Sequence, residues 1–178
     1  MKRVMQSVFY RVFCIMVWGI VLLSAVEAQA TPNVFKSEQY GFSFNVPKGW
    51  TTGDPNSVEG VDAWIYDERT TNGDYVTSFI VMVTDGEGMD KVTEAHLKKS
   101  YEANFKGVKI LSFKKEKFQG LPAIRVEHLH LKDGYLVRQL QYLMDRNGKG
   151  IILTFGAHND NFEGHESDFK EILSSFKF

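Results

Sequence analysis

Residues 108–157 read VKILSFKKEKFQGLPAIRVEHLHLKDGYLVRQLQYLMDRNGKGIILTFGA, and this stretch decides the fold. It divides into four strand-like runs: Val108–Phe118, Leu121–Leu131, Tyr135–Asp145 and Gly150–Ala157. Gly120-Leu121-Pro122, Lys132-Asp133-Gly134 and Arg146-Asn147-Gly148 separate them. The last two breaks carry Asp-Gly and Asn-Gly, which supply the positive φ that tight hairpin turns require. The stretch is therefore expected to be an antiparallel meander.

Upstream of it, Val76–Val83 (VTSFIVMV) is apolar on both faces, with Ile80 and Met82 on one and Phe79, Val81 and Val83 on the other. Such a strand must be covered on both sides. Phe42–Val46 alternates in the period of a half-buried strand, and Pro47-Lys48-Gly49-Trp50 ends it. Val34–Ser37 reads as a short strand before it, and Val61–Asp67 as a further one. Composition makes Thr51–Gly60 a loop and Thr70–Asp74, with Asn72-Gly73, a turn. A helix is expected from an Asp90 cap to about Lys106, with Gly107 as its C′ residue. Leu97/Tyr101/Phe105 and Val92/Ala95/Ala103 form two stripes on it, so its buried face stays open. A closing helix runs from about Phe162 to Ser175. Phe162, Phe169, Ile172, Leu173 and Phe176 make its core stripe. Strands, helix, meander and helix give an α+β domain, an antiparallel sheet flanked by helices on both sides.

The first thirty residues are of another kind. Lys2, Arg3 and Arg11 precede the uncharged run Val12–Val26, and Ala28-Gln29-Ala30 follows. That is the form of a secretory signal peptide cut after Ala30, leaving one domain over residues 31–178. The alternative is an uncleaved N-terminal anchor, which would be the chain's one membrane contact. The only cysteine, Cys14, lies in this segment, so the exported domain has no thiol nucleophile and no disulfide. The segment holds three bases and one acid, and the whole chain has 21 Lys+Arg against 22 Asp+Glu. The remainder is thus net acidic, which argues against a nucleic-acid partner.

Three segments together resemble the PsbP/DcrB-like superfamily, which includes the Mog family. They are Tyr40-Gly41-Phe42-Ser43-Phe44-Asn45-Val46-Pro47-Lys48-Gly49-Trp50, then Phe118-Gln119-Gly120-Leu121-Pro122-Ala123, then Asn147–Phe155 with a closing helix ending Ile172-Leu173-Ser174-Ser175-Phe176. In order they span nearly all of residues 33–178. The resemblance implies an α/β/α sandwich around an antiparallel sheet. It also implies an accessory protein: group members include an extrinsic photosystem II subunit, a regulator of a small GTPase and bacterial envelope proteins. It carries over no catalytic residue, cofactor or metal ligand. The export signal favours the envelope type over a GTPase partner.

The candidate chemistry is sparse. His128 and His130 share one face of a strand, but two ligands without a third make a weak metal site. Their expected surroundings are solvent or a polar sheet face beside Gln139 and Gln141. Asn159–Lys170 imitates half a calcium loop, yet its twelfth position is Lys170 in place of a bidentate carboxylate. No G-x-S-x-G is present, and Gly86-x-Gly88 lacks the third glycine of a dinucleotide fingerprint. Lys98-Lys99 and Lys114-Lys115-Glu116-Lys117 read as solvated surface charge. Trp50, Trp64, Tyr66 and Tyr75 either close the core or line a groove.

No catalytic, cofactor or metal residue is therefore assigned. The expected protein is an exported, periplasmic or secreted, non-enzymatic domain acting through a protein partner in the bacterial envelope. A carrier of a small apolar ligand is the alternative, and an enzyme with an unrecognised site the third reading. Mass spectrometry of the exported protein is expected to find Thr31 at its N-terminus; full-length chain in the membrane fraction would instead establish the anchor.

Overall fold

The structure is a computed structural model and describes residues 33–70, 75–86 and 88–178. The leader with its Ala30 cleavage point and most of the Thr70–Asp74 turn lie outside the described residues. Nine strands are present among them: β1 (Asn33–Ser37), β2 (Phe42–Val46), β3 (Trp50–Thr52), β4 (Ala63–Asp67), β5 (Ser78–Asp85), β6 (Lys106–Phe118), β7 (Leu121–Lys132), β8 (Tyr135–Arg146) and β9 (Lys149–His158). Two α-helices accompany them, α1 (Glu94–Asn104) and α2 (Glu166–Ser175). β1 and β2 form a hairpin, and the other seven strands form one antiparallel sheet in the order β3-β4-β5-β9-β8-β7-β6.

The meander is as the sequence predicts. Asp133 and Asn147 take positive φ with Gly134 and Gly148 after them, the two-residue turns that Asp-Gly and Asn-Gly specify. One expected loop is partly a strand, since Trp50–Thr52 pairs with Ile65–Asp67. Three residues are too few for a periodic signal.

The two sheet faces are buried differently. Phe79 and Val81 of β5, with Leu153 and Phe155 of β9, point to one face together with Ile65, Met144 and Tyr142. α2 and the β1–β2 hairpin cover it. Rings run through this core in contact: Phe44 to Phe79 at 5.0 Å, Phe79 to Phe155 at 4.6 Å, Phe155 to Phe169 at 4.6 Å. The chain end closes the layer, because Ser43 and Lys177 exchange two backbone hydrogen bonds of 2.9 and 2.8 Å. Phe162, Phe169, Ile172 and Phe176 are all buried here, while Leu173 is half-buried at the edge of the stripe. The closing helix starts later than its pattern suggests: 3₁₀ turns at Asn159–Asn161 and Glu163–His165 precede it.

The opposite face is covered by α1 and the 3₁₀ turn that precedes it, with Met89 and Val92 packed beside the helix. The chain leaves β5 in the middle of the sheet and must reach β6 at its edge, and α1 lies on that crossover. Its stripe Leu97/Tyr101/Phe105 faces the sheet against Ile124, Val126 and Leu143. The cap differs from expectation. Thr93 caps α1, its hydroxyl accepting from the His96 N–H at 3.3 Å, because Asp90 falls in a separate 3₁₀ turn. α1 ends at Asn104, and Gly107 (φ 65°) sits within β6 beside a register shift.

Phe169→Ala removes a ring packed on four others and should cost about 3 kcal/mol. Lys170→Ala loses only an exposed pair with Glu166 and should cost under about 0.5 kcal/mol. Urea midpoints of the two variants check this, and equal midpoints would refute the core assignment.

Candidate functional site

Even-numbered residues of β4 and β5 and their partners on β9 and β8 form the face that α1 only half covers. Trp64 and Tyr66 lie here, whereas Trp50 is buried on the opposite face against Phe169. The four aromatics that are close in sequence therefore serve two different layers.

Beside α1 runs a trough of about 700 Å³, open to solvent, lined by Met82, Met89, Leu97, Tyr101, Leu143 and Ile152. Its floor carries a polar relay. Tyr101 Oη donates to Gln141 Oε1, and Gln141 Nε2 donates to Thr154 Oγ1 at 3.1 Å. Met89 is held by a turn whose backbone N–H groups are gathered by one carboxylate. Asp145 accepts from Gly88 at 2.8 Å and from Met89 at 3.0 Å. Burial alone would raise the Asp145 pKa, but these N–H donors outweigh it and hold the carboxyl below its ordinary value.

Under α1 lie His128 and His130. They do not face solvent or a polar surface, as the sequence suggests. Both are fully buried, and none of their four ring nitrogens has a hydrogen-bond partner. Tyr101 lies 4.3 Å from the His128 ring and Phe105 lies 4.3 Å from the His130 ring. The stripe on α1 decides this, because its two aromatics need a flat surface that the imidazoles supply. Among the described residues, no group of three or more His, Cys, Asp or Glu gathers into a metal-binding set.

On the farther half of the same face is a cleft of about 330 Å³, bounded by Trp64, Tyr75, Ile80, Lys132, Asp133 and Tyr135. Trp64 and Tyr75, two of the aromatics that the sequence offers as core or groove residues, border it, and the rest of its lining comes from segments far apart in the chain.

Two charged clusters lie on the α2 side. Glu127 is buried between Arg138, whose Nε donates at 2.6 Å, and Arg125 at 3.4 Å; Arg138 also stacks 4.5 Å from the Phe162 ring centre. A small cleft of about 190 Å³ opens beside this pair. Asp67 is the second centre, with Arg69 Nε donating to Oδ1 at 2.7 Å and His165 Nδ1 at 3.7 Å from Oδ2. Burial pushes its pKa up, but the Arg69 hydrogen bonds prevail and hold it below the ordinary value. Trp50 Nε1 donates to Asp168 at 3.0 Å and completes the cluster. None of these residues lines any of the three clefts, so the cluster acts as a tie between β4, β3 and α2. The half-calcium motif is divided between 3₁₀ turns and the first turn of α2, where Lys170 pairs with Glu166.

The class of protein defined here is an α+β sandwich, a seven-stranded antiparallel sheet with a β-hairpin and α-helices packed on it and open clefts on one sheet face. The chain belongs to the PsbP family, whose model matches residues 31–178. Solved structures of similar fold include cyanobacterial PsbP (CyanoP) from Synechocystis sp. PCC 6803, 17% identical, covering 87% of this chain and 98% of that one with a TM-score of 0.59. LpqN of Mycobacterium tuberculosis, described as involved in cell envelope biogenesis, is 12% identical over 84% of this chain and 86% of that one, with a TM-score of 0.60. A protein of unknown function from Pseudomonas aeruginosa, a putative regulator, is 13% identical over 79% and 92%, with a TM-score of 0.51. At these identities the likeness is one of fold. A search of the curated proteins finds no significant match. Among the described residues no helix is long and apolar enough to cross a membrane.

The histidine pair makes stability depend on pH. Burial, then the neighbouring His130 charge, lowers the His128 pKa from 6.5 to about 4. Burial and Lys132 lower that of His130. Above pH 6.5 both states hold neutral rings and nothing is lost; below it the unfolded chain takes up protons that the folded one refuses. The unfolding free energy, and with it the urea midpoint, should therefore fall as pH drops from 6.5 toward 4, the free energy by about 3 kcal/mol from His128 alone. Replacing both histidines by leucine should flatten the profile over that range.

Proposed function

We propose that this PsbP-family domain is an exported, non-enzymatic accessory protein of the bacterial envelope that works by docking a protein partner. The trough beside α1 carries the reading: it is open and mostly apolar, with His96, Ser100, Asn104 and Gln141 as polar groups in its lining. Two methionines in its wall supply the soft, adaptable surface common at partner grooves. A carrier of a small apolar ligand would need an enclosed cavity, and this trough is open along its length. The leader-like residues 1–30 support export, and the envelope role printed for LpqN is consistent with it.

A charge placed in the trough tests the reading. Ile152→Glu or Met82→Glu should reduce cross-linking to envelope proteins by about thirtyfold, the effect of losing one interface anchor. Lys114→Glu, on the exposed edge of β6, should leave it unchanged. Capture that ignores the trough variants would refute the docking face, and stoichiometric lipid in native mass spectra would favour the carrier.

A further inference from the structure

The cleft on the far half of the open face is built by two glycines that have no conformational need to be glycine. Gly53 and Gly156 both lack the positive φ that marks most glycines of this chain. Each is instead a seat. A Cβ on Gly53 would lie 2.3 Å from Trp64 Cε3 and 2.7 and 2.8 Å from its bonded neighbours Cδ2 and Cζ3. Those three distances put Gly53 over the flat face of the indole, not at its edge. One face of Trp64 thus rests on backbone, the Tyr66 ring packs against the indole at 5.1 Å, and the part of the ring left exposed borders the cleft. A Cβ on Gly156 would lie 2.9 Å from Tyr75 Oη, so the Tyr75 ring crosses the sheet with its hydroxyl against the β9 backbone. Glycine in a strand marks such close approach.

The result is a rigid slot. Trp64 and Tyr75 are its flat walls, Ile80 lies on its floor, and Lys132 and Asp133 stand at its mouth on the β7–β8 turn. The Lys132 ammonium lies 5.6 Å from the Tyr75 ring centre. The rim carries one positive and one negative charge. An anion would meet Asp133, a cation would meet Lys132, and a bare hydrocarbon would strip water from both. A neutral ring with apolar C–H faces and hydroxyls at its edge satisfies walls and rim together.

We propose that this cleft is a sugar-binding site, in which one neutral hexose ring packs on the exposed part of the Trp64 indole and its hydroxyls bond to Lys132 and Asp133. The site is separate from the trough, and the proposal does not rest on the docking reading. The ring comes either from a free sugar or from a glycan chain, and the probes tell these apart.

The purified protein is titrated with glucose, cellotetraose and tetra-N-acetylchitotetraose, followed by the NMR signal of the Trp64 indole N–H and the amides of Ser78 and Ile80. A saturable shift of these signals, with the Trp50 indole unmoved, is the expected result. Response to the tetrasaccharides at concentrations where glucose does nothing assigns a glycan chain; equal response assigns the free sugar. Trp64→Leu should abolish the amide shifts, and Gly53→Ala, which displaces the ring, should weaken binding by about tenfold. Lys132→Met leaves the fold untouched and should weaken binding severalfold. Absence of any shift with all three sugars at tens of millimolar would overturn the proposal. So would saturable binding of the apolar dye N-phenyl-naphthylamine at the slot with no sugar response, or full sugar affinity in Trp64→Leu.

Discussion

The structure depends on one constraint: its central strands are apolar on both faces, while only two α-helices are available among the described residues to cover them. In β9, every residue from Gly150 to Ala157 is buried or half-buried, and β5 beside it is similar through Val83. Burying a Phe or Leu side chain contributes roughly 1.5–3 kcal/mol, so leaving either face of this sheet bare would cost a large part of a domain's net stability. The chain meets the demand unequally. α2, the β1–β2 hairpin and the C-terminal residues seal one face with stacked phenylalanines. α1, eleven residues long, covers only the β6–β7–β8 part of the other.

Both functional readings come from that inequality. Where α1 stops, the sheet face continues, and its exposed half carries Ile80, Met82, Trp64 and Ile152 among polar residues. An edge of this kind gives a trough along the helix and a slot beyond it. The Gln141–Thr154 relay and the Tyr75 bar, held beside Gln139, lie between the two. The charged clusters sit on the sealed face and tie layers together. The removal of water from Glu127 is offset by two guanidinium groups, as a buried carboxylate requires.

The histidine pair shows the cost of the short cover. A helix with Tyr101 and Phe105 on its inner stripe needs broad, flat neighbours. His128 and His130 supply the surface but bring four ring nitrogens into a place with no partner for them. The stacking stabilises the helix while the rings are neutral. Their protonation opposes it, so attachment of α1 and the pH of the surroundings are physically linked through this contact.

The sequence by itself determined the meander, because alternation and the Asp-Gly and Asn-Gly turns act within a few residues. It also determined the core stripe of α2 and the family, whose markers are likewise local. Only the tertiary structure decided which stripe of α1 is inward, where Thr93 displaces Asp90 as cap, and that His128 and His130 are buried. The inward stripe and the buried histidines rest on residues roughly 25 to 45 apart in the chain meeting across α1 and the sheet, and the choice of cap follows from where that packing lets the helix begin. The slot was the least legible of all. Gly53 and Gly156 look like ordinary turn and strand glycines until Trp64 and Tyr75 are seen resting on them, since a close approach of backbone to ring leaves no trace in local pattern.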